Sequence, residues 1–151
     1  MIELLHIDCM EYMATLPDKA FDLAIVDPPY GIGMDGGEGN AKVGYKFGHN
    51  HLPKKHWDKR PPSGEYFAEL RRVCAEQIIW GGNYFDLPPT RCVNVWDKGA
   101  GFVGRSFAEC EIAWSSFDKN ARIFKHDPLA GGDLRKKIHP TQKPVKLVGH
   151  A

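Results

Sequence analysis

FDLAIVDPPYGIG, residues 21 to 33, is the stretch from which the fold can be read. Phe21 to Val26 form an apolar run of strand length, and the run stops abruptly at an acid followed by two prolines. Proline drives the residue before it out of the α region, so Asp27 is held extended at the strand's end and Pro28 is constrained in turn by Pro29. Upstream, IELLHI (residues 2 to 7) has the length and apolar character of another strand. DCMEYMATL follows as a helix, with Asp8 at the N-cap, Glu11 at capping-box spacing and Pro17 closing it. Strand, helix, strand is the unit that builds parallel sheets, so FDLAIV is expected to be buried on both faces.

Downstream, SGEYFAELRRVCAEQ (residues 63 to 77) starts after Pro61 and Pro62 and spaces Phe67, Leu70, Val73 and Cys74 on one helical face. IIW, CVNVW and CEIAW add three short strand candidates. Residues 31–62 and 115–138 carry no such periodicity and are rich in Gly, His, Lys and Arg, the mark of long loops that are either functional or disordered. The expectation is one α/β domain over residues 1–151. A composition of 42% hydrophobic and 26% charged residues fits a soluble core-forming chain. No charged leader runs into a long apolar stretch, so a cytoplasmic, membrane-free protein is expected. Cys9, Cys74, Cys92 and Cys110 stand singly, as free thiols in a reducing compartment do.

The net charge of +1 conceals a gradient. Residues 1 to 40 hold eight acids against Lys19 alone, whereas residues 119 to 151 hold eight Lys and Arg against Asp127 and Asp133. Such a gradient suits either a solvated surface or a chain with an acidic small-molecule pocket at one end and a polyanion-facing surface at the other.

The tetrapeptide after the first long strand carries the chemistry. In open parallel sheets ligands bind beyond the carboxyl ends of the strands, where this segment would lie. Asp27 offers acceptor oxygens, Pro28 a carbonyl at a fixed angle, and Tyr30 a face on which a planar group can stack. Together they describe a receptor for a flat ring bearing an amino group. A tight Pro-Pro turn with Tyr30 as packing is the bland alternative.

Asp27-Pro28-Pro29-Tyr30, followed in order by GNYFDLPP, VWDKG, SFAECEIAWSSF and HPTQKPVKL, resembles the amino-methyltransferases of DNA, in particular the adenine methyltransferases common in phages and prophages. The order matches the permuted subgroup, whose catalytic half precedes its cofactor half. The resemblance implies a partial Rossmann-like methyltransferase sheet, mostly parallel, with long loops. It implies S-adenosylmethionine as cofactor, double-stranded DNA as partner, and methyl transfer to the exocyclic nitrogen of a flipped-out adenine. Asp27, Pro28, Pro29 and Tyr30 would then be catalytic, the Asp27 carboxylate and Pro28 carbonyl holding the amine and Tyr30 stacking on the base. Orientation of this kind supplies about 7 kcal/mol or more of the acceleration in well-aligned displacements.

For the cofactor, the resemblance places Thr141, Gln142 and Lys143 by its methionine end, where a helix start with a nearby lysine suits a carboxylate. Asp8 is either a contact to the cofactor's adenine or simply the helix cap. The family's Gly-rich cofactor segment does not occur before Ala151, which implies weak cofactor binding by this chain alone, or a second polypeptide or self-association that completes the site. Lys54, Lys55, Lys59 and Arg60 in the first loop, and Arg122, Lys125, Arg135, Lys136 and Lys137 in the second, are candidate phosphate contacts. His49, His51 and His56 share one loop, but no carboxylate or cysteine completes a ligand set, and no metal is expected. Trp80, Trp96 and Trp114 read as core or pocket wall, and Gly81 to Asn83 as a turn edging the pocket. A non-catalytic DNA-binding remnant and a cytosine-N4 methyltransferase are the alternative readings.

Overall fold

The computed structural model describes residues 2–35, 55–105, 107–133, 139 and 141–149. Helix α1 (Cys9–Ala14) begins where Asp8 Oδ1 accepts from the backbone N–H groups of Met10 (2.8 Å) and Glu11 (3.4 Å). Helix α2 (Gly64–Val73) lies against it and buries Phe67, Leu70 and Val73, the spacing read from the sequence. Arg72 ties the two together: its guanidinium donates to Met13 O and Leu16 O, each at 2.8 Å, while Glu69 and Asp18 neutralise it. Lys19 does the same for the end of α2, donating to Arg71 O at 2.8 Å and Cys74 O at 3.0 Å. Carbonyls at helix ends lack intrahelical partners, and these two side chains supply them.

Five strands form one sheet in the order β1-β2-β4-β3-β5: β1 (Phe21–Val26), β2 (Cys74–Trp80), β3 (Val93–Asp97), β4 (Cys110–Ser115) and β5 (Arg122–Lys125). The β1·β2 and β3·β5 pairs are parallel, the β2·β4 and β3·β4 pairs antiparallel. The sheet is therefore mixed, not mostly parallel as expected. Parallel neighbours need a long crossover, usually helical, and residues 98–109 between β3 and β4 contain among the described residues only a single 3-10 turn, Ala100–Phe102.

Central strand β2 is buried on both sides. Ile79 joins Met13, Phe67, Leu70, Val73 and Cys74 on the helical side, and its neighbour Ile78 joins Trp80, Trp96, Ala113 and Leu147 in a second cluster. Leu147 comes from α3 (Val145–Val148), a short helix after the sheet. Trp96 and Trp80 are core, and Trp114 packs at the margin of the first cluster, as their positions at strand ends suggested.

Four further expectations are corrected. Residues 2–7 form no strand: Ile2 and Leu4 are 91% and 92% exposed. Apolar content alone does not make a strand without a ladder, and β1 pairs only with β2. In consequence β1 is not buried on both faces; Phe21, Leu23 and Ile25 remain open while Ala24 and Val26 face the core. The second helix ends at Val73 instead of Gln77, because residues from Cys74 onward are drawn into pairing with Phe21 to Val26, which outweighs their helical pattern. Residues 115–138 are not wholly loop, since Arg122–Lys125 pair with β3.

Candidate active site

The mixed sheet brings one set of strand ends together. Val26 pairs with Ile79 on the parallel neighbour, so Asp27 and Gly81 emerge side by side from β1 and β2. Strand β4 runs the other way, and Gly81 N donates to Ile112 O at 2.8 Å, which sets the beginning of β4, with Glu111, at the same edge. Asp97 pairs with Cys110, so Lys98 arrives there too. Four consecutive strand ends thus deliver Asp27, Gly81, Lys98 and Glu111 to one place.

Asp27 stands just beyond β1 with its side chain 36% exposed; Pro28 behind it is buried and Pro29 half-buried. Tyr30 turns back and donates its hydroxyl to Asp27 Oδ1 at 2.8 Å. The chain then needs a left-handed residue, met by Gly31 (φ +75°), whose N–H donates to Asp58 Oδ1 at 2.7 Å. Asp58 is 2% exposed and also accepts from Met34 N at 2.8 Å, so one buried carboxylate fixes the backbone that follows the tetrapeptide. Tyr84 stacks on Tyr30 with ring centroids 4.8 Å apart and an interplanar angle of 13°. Gly81 (φ +73°) supports the ring edge so closely that a Cβ there would lie 2.2 Å from Tyr30 Cε1. One face of Tyr30 is covered by Tyr84, and Phe85 and the Lys143 ammonium also approach the ring, with centroid distances of 6.1 and 5.5 Å.

Lys143 completes the cluster from a distant part of the chain. Its Nζ lies 2.8 Å from both carboxylate oxygens of Asp27, 3.1 Å from Tyr30 Oη and 3.1 Å from Glu111 Oε2, with the side chain only 9% exposed. Glu111 Oε1 pairs with Lys98 Nζ at 2.8 Å. Burial acts to raise the Glu111 carboxyl, but Lys143 and Lys98 outweigh it and hold the group below its ordinary range. Burial pushes the Tyr30 phenol far above its ordinary value, and the charges of Asp27 and Glu111 push it further, so it is a hydrogen-bond donor and not a base.

Thr141 and Gln142 are half-buried beside Lys143, and the helix begins at Val145, later than its predicted start after Pro140. Lys143 therefore points to the acid of the tetrapeptide and not to a helix N-terminus. Asp8 is exposed, and its cap is seen without a return bond from Glu11 among the described residues. An open groove of about 380 Å³ beside it is lined by Glu3, Leu5, Ile7, Cys9, Tyr12 and Phe21, and takes in none of residues 141–143. Of the four residues predicted for a methyl donor, Asp8 caps α1 through Oδ1 and the Lys143 ammonium is held by Asp27. Lys55, Lys59, Arg60, Arg122 and Lys125 are exposed. Lys54, Arg135, Lys136, Lys137, His49 and His51 lie outside the described residues. Among the described residues no group of three His, Cys, Asp or Glu could hold a metal ion, and no helix is long and apolar enough to cross a membrane. All four cysteines are free thiols.

Sequence reasoning missed Glu111, Lys98, Tyr84 and Asp58. A signal existed for one of them: in CEIAW an acid interrupts an otherwise strand-like apolar run, which calls for a buried cation.

No family model matches the chain. The chain is 30% identical over 95 residues to "Putative methylase YubD" of Escherichia coli (strain K12), an alignment covering 63% of this chain and 36% of that protein. The relationship is methyltransferase-like. The chain spans little more than a third of that relative's length.

Proposed function

We propose that the chain is the catalytic part of a methyltransferase that moves a methyl group from S-adenosylmethionine to the exocyclic amino nitrogen of adenine in double-stranded DNA. The observation that carries this reading is the oriented, partly exposed Asp27 carboxylate at a strand's carboxyl end, braced by Tyr30 at 2.8 Å. The lone pair of an exocyclic amine is delocalised into its ring, so acceptors on both amine hydrogens favour the pyramidal, nucleophilic form. Asp27 and the Pro28 carbonyl would supply those acceptors, and Tyr30 would be the stacking partner of a base taken out of the duplex. Exposed Lys55, Lys59, Arg60, Arg122 and Lys125 suit phosphate contacts.

The test is incorporation of labelled methyl groups into unmethylated duplex DNA, by the chain alone and at rising chain concentration, with Asp27→Ala alongside. Label on the adenine amino group, abolished in Asp27→Ala, is the expected result. Label on cytosine would reassign the substrate. Duplex binding without incorporation at any concentration would mean a non-catalytic remnant.

A further inference from the structure

We infer that Lys143 is a positioning residue for Asp27 and Tyr30, gripping the carboxylate from its buried side and leaving one acceptor site, on Oδ2, to an incoming amine. This rests on the amino-methyltransferase reading above. Each carboxylate oxygen offers about two acceptor sites. Lys143 Nζ takes one on each oxygen at 2.8 Å, and the Tyr30 hydroxyl takes another on Oδ1. The lysine side chain is 9% exposed and the aspartate 36%, so the cation lies on the inward side of the carboxylate and the acceptor site left is the second one on Oδ2. A carboxylate gripped on both oxygens cannot rotate, and Tyr30, 3.1 Å from the same ammonium, is fixed with it.

The charges around this grip support positioning over inhibition. Lys143 also contacts Glu111 at 3.1 Å, and Glu111 binds Lys98 at 2.8 Å, so two cations face two anions. The ammonium therefore adds no excess positive charge beside an amine nitrogen that becomes positive as it is methylated. Delivery of Lys143 is mechanical: buried Pro144 and Leu147, the latter wedged among Ile78, Trp80, Trp96 and Ala113, pin the segment to the sheet.

Isotope-labelled full chain, without ligand, is compared by NMR with Lys143→Met, Lys143→Arg and the exposed control Lys146→Met. Lys143→Met moves the Asp27 carboxyl-carbon and Tyr30 ring resonances, Lys143→Arg moves them less, and Lys146→Met leaves them in place. In steady-state methyl transfer to an adenine-containing duplex, Lys143→Met lowers kcat about tenfold or more with KM for DNA within about twofold, and Lys143→Arg recovers part of the loss. Resonances unmoved in both Lys143 variants, or a parent-like kcat in a folded Lys143→Met protein, overturn the inference. If Lys143→Met does not fold, the displacement in Lys143→Arg decides. Resonances that move in a chain whose parent transfers no methyl group to any DNA refute the methyl-transfer reading and leave the positioning contact standing.

Discussion

Gly81→Ala tests whether the support beneath Tyr30 is as tight as its geometry requires. Two terms set the magnitude. The backbone there is left-handed, with φ +73° and ψ 25°, which costs a residue with a Cβ about 1–2 kcal/mol. The new methyl would stand 2.2 Å from Tyr30 Cε1 and 2.6 Å from Cδ1 and Cζ. Carbon atoms rest at about 3.5–4.0 Å, so the ring must retreat by more than about 1 Å, and overpacking of this kind costs about 1–3 kcal/mol. The total is about 2–5 kcal/mol. Gly104→Ala provides the reference, because that residue has φ +70° with nothing within 4 Å of the added carbon, and it should lose only the backbone term. Urea unfolding of parent and both variants separates the two contributions. A displaced Tyr30 also loses its bond to Asp27, so methyl transfer should fall in Gly81→Ala and persist in Gly104→Ala. Equal losses of stability in the two variants would refute the reasoning, since the contact with Tyr30 would then contribute nothing.

Asp58→Ala removes the acceptor for two backbone N–H groups, at Gly31 and Met34, and should destabilise the chain by about 2 kcal/mol or more, read as a lowered urea midpoint. Glu111 has a depressed carboxyl, so its contribution is present above the ordinary glutamate value of about 4.3 and is lost as pH falls through its lower folded value; Glu111→Gln should flatten the acid limb of a stability–pH curve. Tyr30 is raised, so its contribution is complete below the ordinary phenol value of about 10 and is lost on further alkalinisation; Tyr30→Phe should remove that dependence in alkaline melts. On the DNA reading, replacing Lys55, Lys59 and Arg60 together by Gln should weaken duplex binding and reduce the slope of log K against log salt by about 0.9 for each phosphate no longer neutralised; an unchanged slope would show that they touch no phosphate.

The parts of the fold legible in the sequence were those governed by local rules. Asp8 as a helix cap, the Phe67, Leu70 and Val73 face, and the strand ending at the Asp27-Pro28 step each follow from spacing and backbone sterics alone. What failed depended on neighbours the sequence does not name. IELLHI has strand character but no ladder, and Cys74 to Gln77 follow a helical pattern yet pair with β1. The site divides in the same way. Its Asp27 and Tyr30 were readable as a short motif, whereas their contact with Lys143 spans 116 residues in sequence for the acid and 113 for the phenol. Glu111 and Lys98 are brought in by the antiparallel turn of β4, a sheet order that periodicity does not encode.

The anchoring of Lys143 has a consequence for how this protein fluctuates. The stretch that carries it belongs to no strand and its described apolar anchors are Pro144 and Leu147, so local opening there would leave the strand ladder intact. Each such excursion would uncover the acid and release the phenol together. Substitutions that trim Leu147, 1% exposed in the second cluster, would then favour such opening as well as lower global stability.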